Sequence, residues 1–137
     1  MKKSKLKKQS KQKISVIQRK LWKLCREIAI KRYEPNCYTC ETKNLQGFNK
    51  QLGHMWAKAS LGAYMKYDLR ILRWQCMICN QFHGGRCADF YARMLKEIGQ
   101  EAMEQLQKDR QVTVNAYDWY SKLLVDYQKI LDELSTT

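Results

Sequence analysis

Cys37-Tyr-Thr-Cys40 and Cys76-Met-Ile-Cys79 are two C-x₂-C pairs in a chain of 137 residues. Two such hairpins can close one tetrahedral zinc site on four thiolates. Asn80 follows the last of these cysteines directly and His83 comes three residues later. His54, the other of the two histidines, lies between the pairs behind Gly53. An imidazole at 54 is a candidate general base or ligand, and the Asn80 amide with the His83 imidazole is a candidate pair of ligands for a second ion. Each also has a plainer reading: His54 as a core histidine, His83 as a surface one and Asn80 as a turn residue. The zinc would hold the scaffold only, because four thiolates leave it no open position. Cys25, on the apolar side of a helix, and Cys87, just past Gly84-Gly85, are expected to be structural or spare.

The 35 residues between the two pairs exceed the spacing of compact zinc ribbons, so they must form structure of their own. Gly47, Gly53 and Gly62 punctuate this insert, while His54-Met55-Trp56 and Arg70 to Trp74 suit an antiparallel ribbon. Before it, Ile14, Ile17, Leu21, Leu24 and Ile28 recur at helical spacing, and Pro35 stops that helix short of the first cysteine. After Gly84-Gly85 the chain turns helical again, with Ala88, Tyr91, Leu95 and Ile98 on one face. Gly99 breaks that helix, and Ala102, Met103 and Leu106 continue in a second. Asn115 can cap a last helix striped by Tyr117, Tyr120, Leu124, Tyr127, Leu131 and Leu134. The expected organisation is a disordered basic arm over 1–13 and a single domain over 14–137. That domain divides into a helix over 14–34, a zinc-knuckle core over 37–98 and C-terminal helices over 99–137. Trp22, Trp56, Trp74 and Trp119 are read as core rather than as base-stacking platforms.

The net charge of +13 is unevenly spread. Residues 1–26 hold 11 of the 26 Lys and Arg and no acidic residue, whereas residues 97–137 carry 4 basic against 8 acidic side chains. A basic arm with few apolar residues, next to a basic cysteine region, points to nucleic acid rather than to a membrane. The alternative is a solubilising tail. No apolar run approaches the roughly 18 residues of a membrane span, and the chain opens Met1-Lys2-Lys3 with no apolar leader. The sequence therefore reads as soluble and cytoplasmic, in a reducing compartment that favours metal over disulfide for its six cysteines.

The order Cys-Cys, His, Cys-Cys-Asn, helix resembles the ββα-metal, or HNH, nuclease motif on a zinc-knuckle scaffold. Cys37-x₂-Cys40, Leu45-Gln46, Gly53-His54, Gln75-Cys76-x₂-Cys79-Asn80, Gly85 and Ile98-Gly99-Gln100-Glu101 more closely resemble the lambda NinG/Rap family of phage recombination proteins, over roughly residues 37–106. The resemblance implies an α+β fold: a small treble-clef-like ββα-metal core with one structural zinc, flanked by α-helices. It also implies a structure-selective endonuclease that nicks branched recombination intermediates, D-loops and Holliday-type junctions, in the bacterial host cell.

On that resemblance His54 matches the general base, Asn80 the ligand of a catalytic Mg²⁺ or Mn²⁺, and His83 a position where related junction endonucleases place an acidic residue. Two departures stand out. Gly53 occupies the place of the Asp or Glu that often precedes the catalytic histidine, and Ile71 that of the mid-motif asparagine. Asp68 or Asp89 would stand behind His83 as the completing ligand. Lys2, Lys3, Lys5, Lys7, Lys8, Lys11 and Lys13 of the arm, with Lys58, Arg70, Arg73 and Arg86, are candidates for gripping phosphates. A homodimer through the C-terminal helices and recombination proteins of host or phage are further expected partners. Two other readings stay open: a non-catalytic zinc-dependent DNA-binding protein with a degenerate site, and an RNA-binding zinc-knuckle protein.

Overall fold

The structure is a computed structural model that describes residues 2–136, with side chains from Lys13 onward. Helix α1, Lys2–Arg32, opens the chain and ends on Lys31 and Arg32, cations placed at the negative end of its dipole. The helix includes the backbone of residues 2–12, where composition leads one to expect a disordered arm. The side chains of Lys2, Lys3, Lys5, Lys7, Lys8 and Lys11 lie outside what is described. The expected stripe is the buried one: Leu21, Leu24, Cys25, Ile28 and Ala29 enter the core, and Ile14 and Ile17 pack at its edge.

The insert folds into a two-stranded antiparallel ribbon, β1, Gln51–His54, against β2, Leu72–Gln75, with Gln51 opposite Gln75 and His54 opposite Leu72. His54 thus ends the first strand rather than starting it. A short helix α2, Ala63–Lys66, lies between the strands. A five-residue π-helical turn, Ile78–Phe82, starts within the second cysteine pair and takes in Cys79 and Asn80. Then come α3, Cys87–Ile98, α4, Gln100–Asp109, and α5, Ala116–Ser135.

Gly99, at φ +86°, separates α3 from α4 as expected, a backbone that glycine adopts at no steric cost. Asn115 caps α5 through its Oδ1, which accepts from Asp118 N at 3.0 Å.

The ribbon divides the interior. On one side Leu52, Leu72 and Trp74 meet α1 and α5, which run against each other, with Tyr120, Leu123 and Tyr127 as the buried face of α5. On the other, Phe90 and Met94 of α3 and Met103 and Leu106 of α4 pack on Tyr38, Met55, Met65 and Ile71. Burying each of the larger apolar side chains stabilises by about 1.5–3 kcal/mol. Two stripes therefore differ from the expectation. In α3 the core face is Phe90 and Met94, with Tyr91, Leu95 and Ile98 beside it and Ala88 exposed; in α5 Leu123 is buried while Tyr117 is exposed. Trp74 is core as expected, whereas Trp22 and Trp56 are only half-buried. Among the described residues no helix is long and apolar enough to cross a membrane.

Candidate functional site: a zinc knuckle and a histidine cleft

Backbone hydrogen bonds shape the first cysteine hairpin: Cys37 N donates to Thr42 O at 2.8 Å, and Tyr38 N to Trp74 O at 2.9 Å. The second bond ties the hairpin to β2. In the second hairpin Cys79 N donates to Cys76 Sγ at 3.4 Å. The four sulfurs of Cys37, Cys40, Cys76 and Cys79 all lie within 4.8 Å of one another, and the Cys40–Cys76 pair is 3.7 Å apart. A tetrahedron with Zn–S bonds of about 2.3 Å has edges of roughly 3.8 Å, so the cluster fits zinc.

Burial pushes the Cys76 thiol up to about 12, helped by the neighbouring cysteine sulfurs. At Cys37 burial acts in the same direction but is outweighed by hydrogen bonds from Cys76 and Thr39, which bring it down to about 6. A divalent cation would favour the thiolate form of all four and release protons on binding. Cys25 and Cys87 stand outside the cluster. Cys25 Sγ lies 3.8 Å from Tyr67 O, with its thiol pushed up to about 12 by burial, and Cys87 Sγ lies 3.6 Å from Gly84 O.

The four-cysteine cluster is joined to a cleft of about 460 Å³ lined by Trp22, Leu52, His54, Trp56, Ala57, Lys58, Ala59, Asn80, Gly84 and Gly85. Gly85 N donates to Cys79 O at 2.9 Å, and Gly84 and Gly85 take φ of +59° and +83°. This left-handed pair turns the chain from the cysteine hairpin back along the end of β1.

His54 sits between two constraints. Its Nε2 is 2.8 Å from Lys66 O, and its ring stacks on Trp22 with centroids 5.5 Å apart and planes 1° from parallel. A carbonyl only accepts, so Nε2 carries the proton and Nδ1 keeps the basic lone pair. Burial holds the imidazole below its ordinary value, aided by the Lys58 and Lys66 charges and opposed by the Lys66 carbonyl. His54 is therefore neutral at neutral pH. Asn80 shares the cleft, and its Nδ2 donates to Gln51 Oε1 at 2.9 Å, which assigns its Oδ1 to any cation.

Other expected residues fall elsewhere. His83 is exposed and does not line the cleft. It caps the π-helical turn, whose larger number of residues per turn rotates the third residue after Asn80 out of the alignment that 3.6 residues per turn would give. Asp68 caps the turn before β2 and pairs with Arg70 at 2.7 Å; Asp89 is exposed and faces Arg86 at 3.9 Å. No carboxylate lines the cleft among the described residues.

Lys58 does line it. Arg70 is held by Asp68 and by Asp109 at 2.9 Å. Arg73 is 7% exposed, bonded to Leu72 O at 2.8 Å and Glu97 at 3.3 Å and stacked over Tyr33, so it braces the ribbon rather than facing a phosphate. Arg86, at φ 45°, begins α3 half-buried.

The sequence reading missed Trp22 and Trp56 as cleft walls and Gln75 as a brace. Trp22 had a signal: it lies one position off the Leu21-Leu24-Cys25-Ile28 stripe, on the flank of α1 rather than at its buried centre.

Fold and site together define a small mixed helix–strand protein with a four-cysteine centre beside a histidine cleft. The chain belongs to the family of the bacteriophage lambda NinG protein, whose profile matches residues 1–136. It is 26% identical over 83 residues to protein ninG of Escherichia phage 933W, covering 61% of this chain and 38% of that protein. To protein ninG of Escherichia phage lambda it is 24% identical over 102 residues, covering 72% and 47%. The chain thus matches less than half the length of these curated relatives. No solved structure matches it.

Proposed function

We propose that this chain is a metal-dependent endonuclease of the ββα-metal, or HNH, type that nicks branched DNA. His54 carries the reading: one nitrogen is committed to the Lys66 carbonyl, the other is basic, and the ring is kept neutral by burial in a cleft that also holds Asn80. A general base needs that arrangement, a lone pair free at working pH and a ring that cannot turn.

In the proposed step His54 Nδ1 takes a proton from a water whose oxygen bonds to phosphorus, while the bond from phosphorus to the 3′ oxygen breaks and that oxygen leaves with the electron pair, taking a proton from solvent water to give the 3′ hydroxyl. The ribbon aims the imidazole, and Trp22 excludes water from one of its faces. Lys58 offers a countercharge to the phosphate at the mouth of the cleft. Asn80 Oδ1 would hold a divalent ion; His83, three residues on, is exposed outside the cleft and would have to turn toward it to share that ion. Bound there, such an ion supplies charge neutralisation at the scissile phosphate. One or two protein ligands are compatible with Mg²⁺ or Mn²⁺, which keep waters and take oxygens from phosphate. The zinc would hold both hairpins and, through Cys79 and Gly85, the far wall of the cleft.

One observation favours a second reading, a zinc-dependent DNA-binding protein without catalysis: among the described residues the cleft has no carboxylate. A nicking assay on four-way, three-way and linear DNA with Mg²⁺, Mn²⁺, Co²⁺ or Ni²⁺ separates the two. Nicks in branched DNA support the nuclease; binding without any nick, with every ion, transfers the chain to the second reading.

A further inference from the structure

We propose that the cleft takes one unpaired nucleobase, stacked on Trp56, and that branched DNA is selected through this base. The inference rests on the nuclease reading only for what happens to the neighbouring phosphate. Base capture itself requires no cleavage.

Two of the four tryptophans wall the same cleft as His54 and Asn80 and remain half-buried there, instead of joining Trp74 in the core. They are fixed differently. Trp22 is stacked on His54 and has the Lys58 ammonium 5.4 Å over its ring, so it is committed to the imidazole. Trp56 is steadied by the Arg110 guanidinium 4.4 Å from its ring centroid and by Tyr91 at 6.5 Å, tilted by 51°, and it still lines the cleft. An indole held from outside the cleft, beside a lining that mixes Leu52, Ala57 and Ala59 with Lys58 and Asn80, is a stacking platform.

Size and charge agree on the occupant. About 460 Å³ lies within the roughly 300–1,000 Å³ of sites that enclose a small molecule, enough for one nucleotide. Ala57 and Ala59 keep the wall beside Trp56 low, and Lys58 between them supplies a phosphate partner. A purely apolar partner would leave Lys58 and Asn80 desolvated, whereas a nucleotide matches the cleft's mixed character and the chain's net charge of +13.

Paired bases have both faces covered by their neighbours in the stack. A base at a branch point lacks a stacked neighbour on one side when the junction is open, so it unpairs and leaves the stack at lower cost than a base inside a duplex. The cleft would therefore read branching, not sequence, since every base presents a π face.

The test uses the full zinc-loaded chain without added Mg²⁺ or Mn²⁺. The probes are a four-way junction carrying 2-aminopurine at the branch point and a linear duplex of matching sequence carrying it internally. Stacking on Trp56 should quench the junction probe and leave the duplex probe unchanged. Trp56→Ala should abolish the quenching and weaken junction binding by about 5- to 150-fold, with duplex binding changed less than about twofold. Trp56→Phe should keep most of both, and Trp56→Leu, which packs without stacking, should behave as Trp56→Ala if the alanine variant folds poorly. Equal loss on junction and duplex, or junction quenching that survives Trp56→Leu, would overturn the proposal. Quenching without nicking in any metal would leave base capture standing and remove the nuclease; nicking without quenching would do the reverse.

Discussion

The Gln75 side chain fills the space that a side chain on Gly53 would need: a Cβ at position 53 would sit 1.8 Å from Gln75 Oε1. Gln75 is fully buried, and its Nε2 donates to Thr39 Oγ1 at 2.9 Å and to Gly85 O at 2.8 Å. One carboxamide therefore spans the first cysteine hairpin, the strand that ends in His54 and the glycine turn of the cleft. This explains why glycine, rather than an acidic residue, precedes the histidine.

Gly53→Ala should destabilise the protein by about 1–3 kcal/mol through overpacking, because the blocking oxygen belongs to a side chain pinned at its nitrogen. The double variant Gly53→Ala, Gln75→Ser should lose less stability than the sum of its parts. Thermal melting of the four proteins checks this, and strict additivity would show that the two residues do not compete for space.

One zinc per chain is expected, lost in Cys76→Ser and retained in Cys25→Ala and Cys87→Ala. Chelation should melt the two hairpins and with them the Gly84-Gly85 turn, since a structural zinc of this kind contributes about 10–16 kcal/mol in small domains. Elemental analysis with circular dichroism reads both effects. Metal-free protein with an unchanged melting curve would contradict the scaffold role.

Activity should have an acid limb below the ordinary histidine value of 6.5, because His54 must be neutral to act and burial lowers its pKa. Trp22→Ala opens that face to water, so the limb should move upward toward 6.5. The stability linkage has the same sign. A histidine depressed in the folded state contributes stability that is present above its unfolded value and lost as pH falls through the folded one. A pH–rate profile of wild type and Trp22→Ala showing the same midpoint would rule out Trp22 as the cause of the depression.

Arg73 and Lys58 should separate stability from binding. Arg73→Ala leaves the carbonyl of Leu72 without its donor and should cost about 1–3 kcal/mol, while the salt dependence of DNA binding stays as it was. Lys58→Ala should leave melting nearly unchanged and reduce the slope of log affinity against log salt by about 0.9. The opposite pattern would reverse their roles.

How much of this was legible in the sequence follows the range of the interactions. The clustering of Cys37, Cys40, Cys76 and Cys79 depends on their spacing within two local hairpins, and the α1 stripe, the Gly99 break and the Asn115 cap are set within a few residues of chain. Those features could be read directly. The position of His83 could not, because a π-helical turn in place of an α-helical one follows from how the hairpin meets the ribbon. Nor could the partnership of Gly53 with Gln75, which needs the register of β1 on β2. Arg73 looked like a phosphate contact because charge on a strand is legible, whereas Tyr33, Tyr38 and Glu97, which enclose it, come from just past the end of α1, the first cysteine hairpin and α3.

His54 is proposed as the base of a DNA-cleaving site. That role is tested most directly by His54→Ala in a single-turnover nicking assay on a four-way junction with Mn²⁺, with zinc content and junction affinity measured on the same preparation. Cleavage should fall by about 10²–10⁴-fold, with zinc retained and affinity within about threefold of wild type. Cleavage at the wild-type rate by the variant, or none by the wild type, would contradict it.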